Sequence, residues 1–121
     1  MKRRQILLGA SLLPTLSLAQ SYPTKPVRMI VPFPAGGATD LFARVLSLKL
    51  GEKLGQSVVV ENRPGAGGTI GSDLVAKAPA DGYTMVITSI GMVTNRYLYP
   101  KLPYDPVKDF EPVSQLAVVP N

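Results

Sequence analysis

Three times along this chain, a short apolar, β-branched run enters a loop of small residues and is followed by helical spacing. That alternation restricts the architecture more than any other feature. The first run, Val27–Val31, is bounded by Pro32 and Pro34, which end a strand. Beyond the loop at 35–40 the pattern turns helical as far as Leu54. Leu41, Val45 and Leu48 fall on one stripe, with Phe42, Leu46 and Leu50 beside it. Thr39 or Asp40 is the expected N-cap, and Gly55 is the expected left-handed residue closing the helix.

The unit then recurs. Residues 57–61 read as a second strand, 62–68 as a glycine-rich loop, and 69–78 as a helix burying Ile70, Leu74 and Val75. A turn at 79–82 leads to a third strand over 83–88. The loop at 89–95 follows, entering a short helical piece near 96–99. Strands and helices alternating at these lengths predict an α/β fold with a parallel sheet and right-handed crossovers. In such sheets ligands bind outside the carboxyl ends of the strands, where all three loops would lie. The proline-rich segment at 101–112 breaks the pattern, and a further strand is expected from Ser114 towards Asn121. A strand begun there predicts that the fold is truncated.

Residues 1–19, MKRRQILLGASLLPTLSLA, stand apart. Lys2, Arg3 and Arg4 precede an apolar stretch interrupted by Gly9 and Pro14, and small side chains sit at Ser17 and Ala19. This is the layout of a cleaved secretory signal, with the cut expected after Ala19. The stretch is short of the about 20 residues that a membrane-spanning helix needs. Arg3 and Arg4 also resemble a twin-arginine signal, and both export routes fit the residues.

The net charge of +5 suggests a nucleic-acid partner until its location is considered. Setting aside Lys2, Arg3 and Arg4 leaves ten basic against eight acidic residues, a net +2. The remaining cations are scattered, with no aromatic platform between them, which argues against nucleic acid. Cysteine and histidine are both absent. This chain therefore supplies no disulfide, no thiolate or imidazole metal site and no serine–histidine triad. No cofactor is expected, and no catalytic group stands out.

Several residues suit ligand binding. Phe33, Pro34, Ala35, Gly36, Gly37, Thr39 and Asp40 lie between a buried strand and a helix start. Paired glycines let backbone amides approach a ligand, and the helix N-terminus adds partial positive charge. A tight, well-capped turn would use the same residues. Ser89, Thr94 and Asn95 offer neutral donors and acceptors for a small polar solute, or equally a helix cap. The glycines at 65–71 do not form a dinucleotide fingerprint, because Ile70 stands where its third glycine is required. Turn geometry accounts for them better.

Four segments carry a family resemblance: YPTKPVR at 22–28, VPFPAGGATD at 31–40, ENRPGAGG at 61–68 and KLPYDPVKDF at 101–110. In order and spacing they resemble the Bug-type receptors, the extracytoplasmic solute-binding proteins of tripartite tricarboxylate transporters. The resemblance implies a periplasmic-binding-protein-like, Venus-flytrap α/β fold that captures a small carboxylate for membrane transport subunits. It implies that the loop at 33–40 helps to hold a ligand carboxylate, partly through water, and that 89–95 faces the cleft. The expected organisation is a signal at 1–19, part of a first domain at 20–100, and a crossover into a second domain at 101–121. A monomeric periplasmic receptor without enzymatic activity is the leading expectation. An exported α/β enzyme acting on a small acid, or a fragment without binding activity of its own, are the alternatives.

Overall fold

A computed structural model describes residues 21–118. The signal-peptide reading, including Arg3, Arg4 and Ala19, lies outside the described residues. Three strands, β1 (Val27–Val31), β2 (Val58–Asn62) and β3 (Thr84–Val86), form a parallel sheet in the order β2-β1-β3. Helix α1 (Ala38–Leu54) joins β1 to β2. A single 3-10 turn at Ala66–Gly68 and helix α2 (Thr69–Ala76) join β2 to β3, and α3 (Gly91–Leu98) follows β3. The α/β reading with parallel strands therefore holds.

Strand β1 is central and almost wholly buried, which its unbroken apolar character requires. Met29 and Val31 pack with Ala43 of α1 and with Ile87, and Leu46, Leu50, Val58 and Val60 close around them. Ile30, fully buried, points to the opposite face by strand alternation. Connections from β1 run first to one neighbour and then back across to the other. With right-handed crossovers, this places α1 and α2 on opposite faces. Helix α3 packs on α2 and on the 3-10 turn, so it shares the α2 side.

The stripe on α1 differs from expectation. Ala43 and Ser47 face the sheet, while Leu41, Phe42, Val45 and Leu48 are exposed. Small residues let the helix axis approach the sheet closely, so they take the inner face. The large apolar residues lie on the far side, a second apolar face. The helix also begins earlier than expected, and its N-cap is Gly37 rather than Thr39 or Asp40. Gly55 closes it as read, at φ 68, with its amide bonded to the Gly51 carbonyl.

Helix α2 buries Thr69, Gly71 and Ser72, whereas Ile70 is exposed. Gly71 is inward because the helix runs against Pro32 and the Arg63 carbonyl; an added Cβ would lie 2.7 Å and 2.8 Å from them. No strand forms over 114–118, where the chain is exposed and makes no sheet pairing. The proline-rich segment before it is anchored instead by Tyr104. Its buried ring packs edge-on to Phe110, and its hydroxyl donates to the Met92 carbonyl at 3.1 Å.

Candidate functional site

The carboxyl ends of β1 and β3 lie side by side. Ile30 pairs with Val86, and the Ile87 amide bonds the Ile30 carbonyl at 3.0 Å. From these adjacent ends the chain departs to opposite faces of the sheet. Such a divergence opens a crevice between the two loops. The loops at 33–37 and 88–90 border it.

Pro34, Ala35, Gly36 and Gly37 are exposed on the first of these loops. Gly36 holds φ 88, a left-handed conformation open to glycine. Gly37 caps α1 with extended backbone and no side-chain hydrogen bond. The first amides of any helix lack partners within it, and here no side chain takes them up. Thr39 is half-buried in that first turn. An anion fits such a terminus, where N–H groups and the helix dipole act together.

Asp40 does not point into this crevice. It is 2 % exposed, and both of its oxygens are occupied. One accepts the Gly36 amide at 2.8 Å and the Arg44 Nε at 2.9 Å. The other accepts the Asn62 side-chain amide at 2.9 Å. The Arg44 bond, with the Gly36 and Asn62 donors, holds the pKa of this carboxyl at about 2, below the usual carboxylate range. A direct ligand contact for Asp40 is therefore corrected. The Gly36 N–H is likewise committed inward. Phe33 is half-buried. Its ring packs against the core and against Gly68, and its carbonyl accepts from Asn62 at 3.2 Å.

On the second loop, Ser89 is exposed and its carbonyl starts α3 by accepting the Met92 amide. Thr94 and Asn95 lie within α3 rather than in the expected loop. The Thr94 hydroxyl folds back toward the Ile90 carbonyl of its own helix at 3.4 Å. Asn95 is 4 % exposed and donates to the Gly67 carbonyl at 2.9 Å. It ties α3 to the glycine-rich turn instead of offering a free amide.

Asn62 and Arg44 were missed in the sequence. Two signals could have found them. Asn62 falls in phase with Val58 and Val60 on the face that meets α1, so a polar group there requires a partner. Arg44 stands four residues after Asp40, the spacing of helical ion pairs. A second ion pair crosses β1 and β2, where Arg28 grips Glu61 at 2.7 and 3.0 Å. Arg28, helped by Arg63, holds the pKa of the Glu61 carboxyl at about 2.

Known proteins share this architecture. The chain superposes on the periplasmic binding protein BugD with a TM-score of 0.73 at 49 % identity, covering 75 % of this chain and 30 % of BugD. An R. palustris protein solved with adipate gives 0.68 at 48 %, over 70 % of this chain and 29 % of that one. MatC from Rhodopseudomonas palustris, solved with bound malate, gives 0.66 at 39 %, over 76 % and 32 %. The fold is thus that of a periplasmic binding protein, represented by part of its length. Residues 42–121 match the family described as tripartite tricarboxylate transporter family receptor. The chain belongs to that receptor family. It spans about a third of the length of the curated relatives it matches, covering 37 %, 32 % and 34 % of three that are 48 %, 50 % and 46 % identical.

Proposed function

We propose that this chain forms one wall of an extracytoplasmic receptor that captures a small carboxylate for a tripartite tricarboxylate-type transporter. The observation that carries the reading is the start of α1. Its N-terminus opens beside exposed glycines, without a side-chain cap, at the crevice where β1 and β3 diverge. Backbone amides at Gly37, Ala38 and Thr39 suit a carboxylate, with the Thr39 hydroxyl and water completing its shell. Pro34 and Ala35 shape the rim, and Ser89 supplies a polar group from the opposite side. Adipate and malate in two structural relatives support a dicarboxylate as the solute. Closure against a second wall would bury the ligand and present a new face to membrane subunits, given tighter contacts in the closed state. Binding proceeds without turnover, by a monomer delivered to the periplasm by its N-terminal signal.

Titration calorimetry of the intact protein tests this reading with malate, adipate, citrate, glutamate and benzoate. A saturable heat for at least one acid is expected. A ligand at a hundred times its Kd should stabilise the fold by about 2.7 kcal/mol. No binding by any of the five would overturn the assignment.

A further inference from the structure

We infer that Asp40, Arg44 and Asn62 form a positioning triad that sets the anion-binding amides of the first loop without touching the ligand. This rests on the carboxylate-receptor reading above. The three side chains close a ring. Arg44 Nε donates to Asp40 at 2.9 Å, Asn62 donates to Asp40 at 2.9 Å, and Arg44 Nη2 donates to the Asn62 carbonyl oxygen at 3.3 Å. From this ring one arm reaches the Gly36 amide and another the Phe33 carbonyl, so both ends of the exposed turn are held. The ring is rooted in rigid parts: Asp40 and Arg44 on α1, and Asn62 opposite Val31 in the sheet register.

A carboxylate is a surprising neighbour for an anion site, since its charge opposes that of the ligand. Donor arithmetic explains the choice. Three donors converge on position 40: a backbone N–H, a guanidinium N–H and an amide N–H. Only a side chain with two acceptor oxygens and no donor satisfies them all. Asparagine would turn an NH2 group onto one of these donors. Arg44 also screens the charge that Asp40 brings. By consuming the Gly36 amide, Asp40 fixes the loop in the left-handed turn at Gly36 that sends the later amides outward.

The reciprocal exchange of acid and amide gives a decisive test in the intact protein. Asp40→Asn should speed hydrogen exchange at Gly36 and lower malate or adipate affinity by about tenfold or more, as loss of charge-assisted hydrogen bonds implies. Asn62→Asp sets two carboxylates face to face and should act similarly. The double variant D40N/N62D restores an amide-to-carboxylate contact, with the carboxylate now on β2 accepting from the amide now on α1. It should bind better than either single variant, though below wild type, because the Phe33 carbonyl loses its donor. Arg44→Gln provides a second route if a change at buried Asp40 prevents folding, since the Arg44 side chain is 53 % exposed. It should weaken carboxylate binding severalfold with Gly36 exchange less affected than in D40N. Unchanged exchange at Gly36 in D40N, or a double variant no better than the better single, overturns the triad. Failure of the wild-type protein to bind any of the five acids would instead sink the receptor reading, and the exchange measurement separates the two.

Discussion

Asn95 donates its side-chain amide to the carbonyl oxygen of Gly67, 2.9 Å away and 28 positions earlier in the chain. This bond and a weaker one to the Thr69 hydroxyl at 3.4 Å connect α3 to the turn that starts α2. Asn95 is buried, so Asn95→Ala removes both bonds and should cost about 1 kcal/mol in urea unfolding. Asn95→Asp is harsher at neutral pH, because a carboxylate then faces a carbonyl. Burial raises the pKa of that acid, so its protonated form can donate, and part of the loss should return as pH falls through the raised value toward the ordinary aspartate value of about 3.9. Equal stability of the two variants across that range would refute the geometry.

The close approach of α2 to β1 predicts a different pair of outcomes. A Cβ on Gly71 would meet Pro32 at 2.7 Å and the Arg63 carbonyl at 2.8 Å, neither of which can swing aside. Gly71→Ala should therefore destabilise by about 3 kcal/mol through forced separation of α2 from β1. At Gly37 the nearest atom to an added Cβ is the Pro34 carbonyl, at 3.6 Å, and φ is −76. Gly37→Ala should cost no more than about 1 kcal/mol, the N-cap preference for glycine over alanine, with no steric penalty added. A ligand seated on the Gly37 amide would feel that methyl group, so affinity rather than Tm is its sensitive readout.

Helix α1 separates what periodicity reveals from what it hides. Its extent and its closing Gly55 were legible because helical spacing and a left-handed glycine are local signals. Which apolar stripe faces inward was not, since leucines and valines cover both sides and the choice depends on how closely the helix approaches the sheet. Ala43 and Ser47 won that contest through their small size. Ala43→Leu should accordingly cost about 1–3 kcal/mol by overpacking, while Leu48→Ala, at a site 69 % exposed, should cost under about 0.5. The reverse order in a chemical melt would restore the stripe read from sequence.

The candidate site shows the same division. Paired glycines before a helix start suit either an anion-binding loop or a tight turn in the bare sequence, and Gly36 and Gly37 are exposed at that position. The direction of a polar side chain at such a loop is not a local property. Asp40 turns inward because Asn62, distant in sequence, waits at the end of β2. Asn95 turns inward because the Gly67 carbonyl lies across from it and accepts its amide. Pairings between separate units become visible only when the sheet register is known.

Acid should separate ligand release from loss of the scaffold. The carboxyl pKa values of Asp40 and Glu61 both sit at about 2, below the ordinary values of 3.8 and 4.5. Their folded-state values are depressed, so the unfolded chain binds protons first. Their contribution is full above the unfolded values and is lost as pH falls through about 2. A free carboxylic acid ligand titrates near 4, within the range of ordinary carboxyl groups. Affinity for malate or adipate should therefore decline between about pH 5 and 3 as the ligand takes up protons. Over the same interval, Gly36 exchange protection and the circular dichroism of the fold should hold. If protection at Gly36 instead disappears together with binding near pH 4, Asp40 carries an ordinary carboxyl pKa and its three hydrogen bonds do not persist in solution.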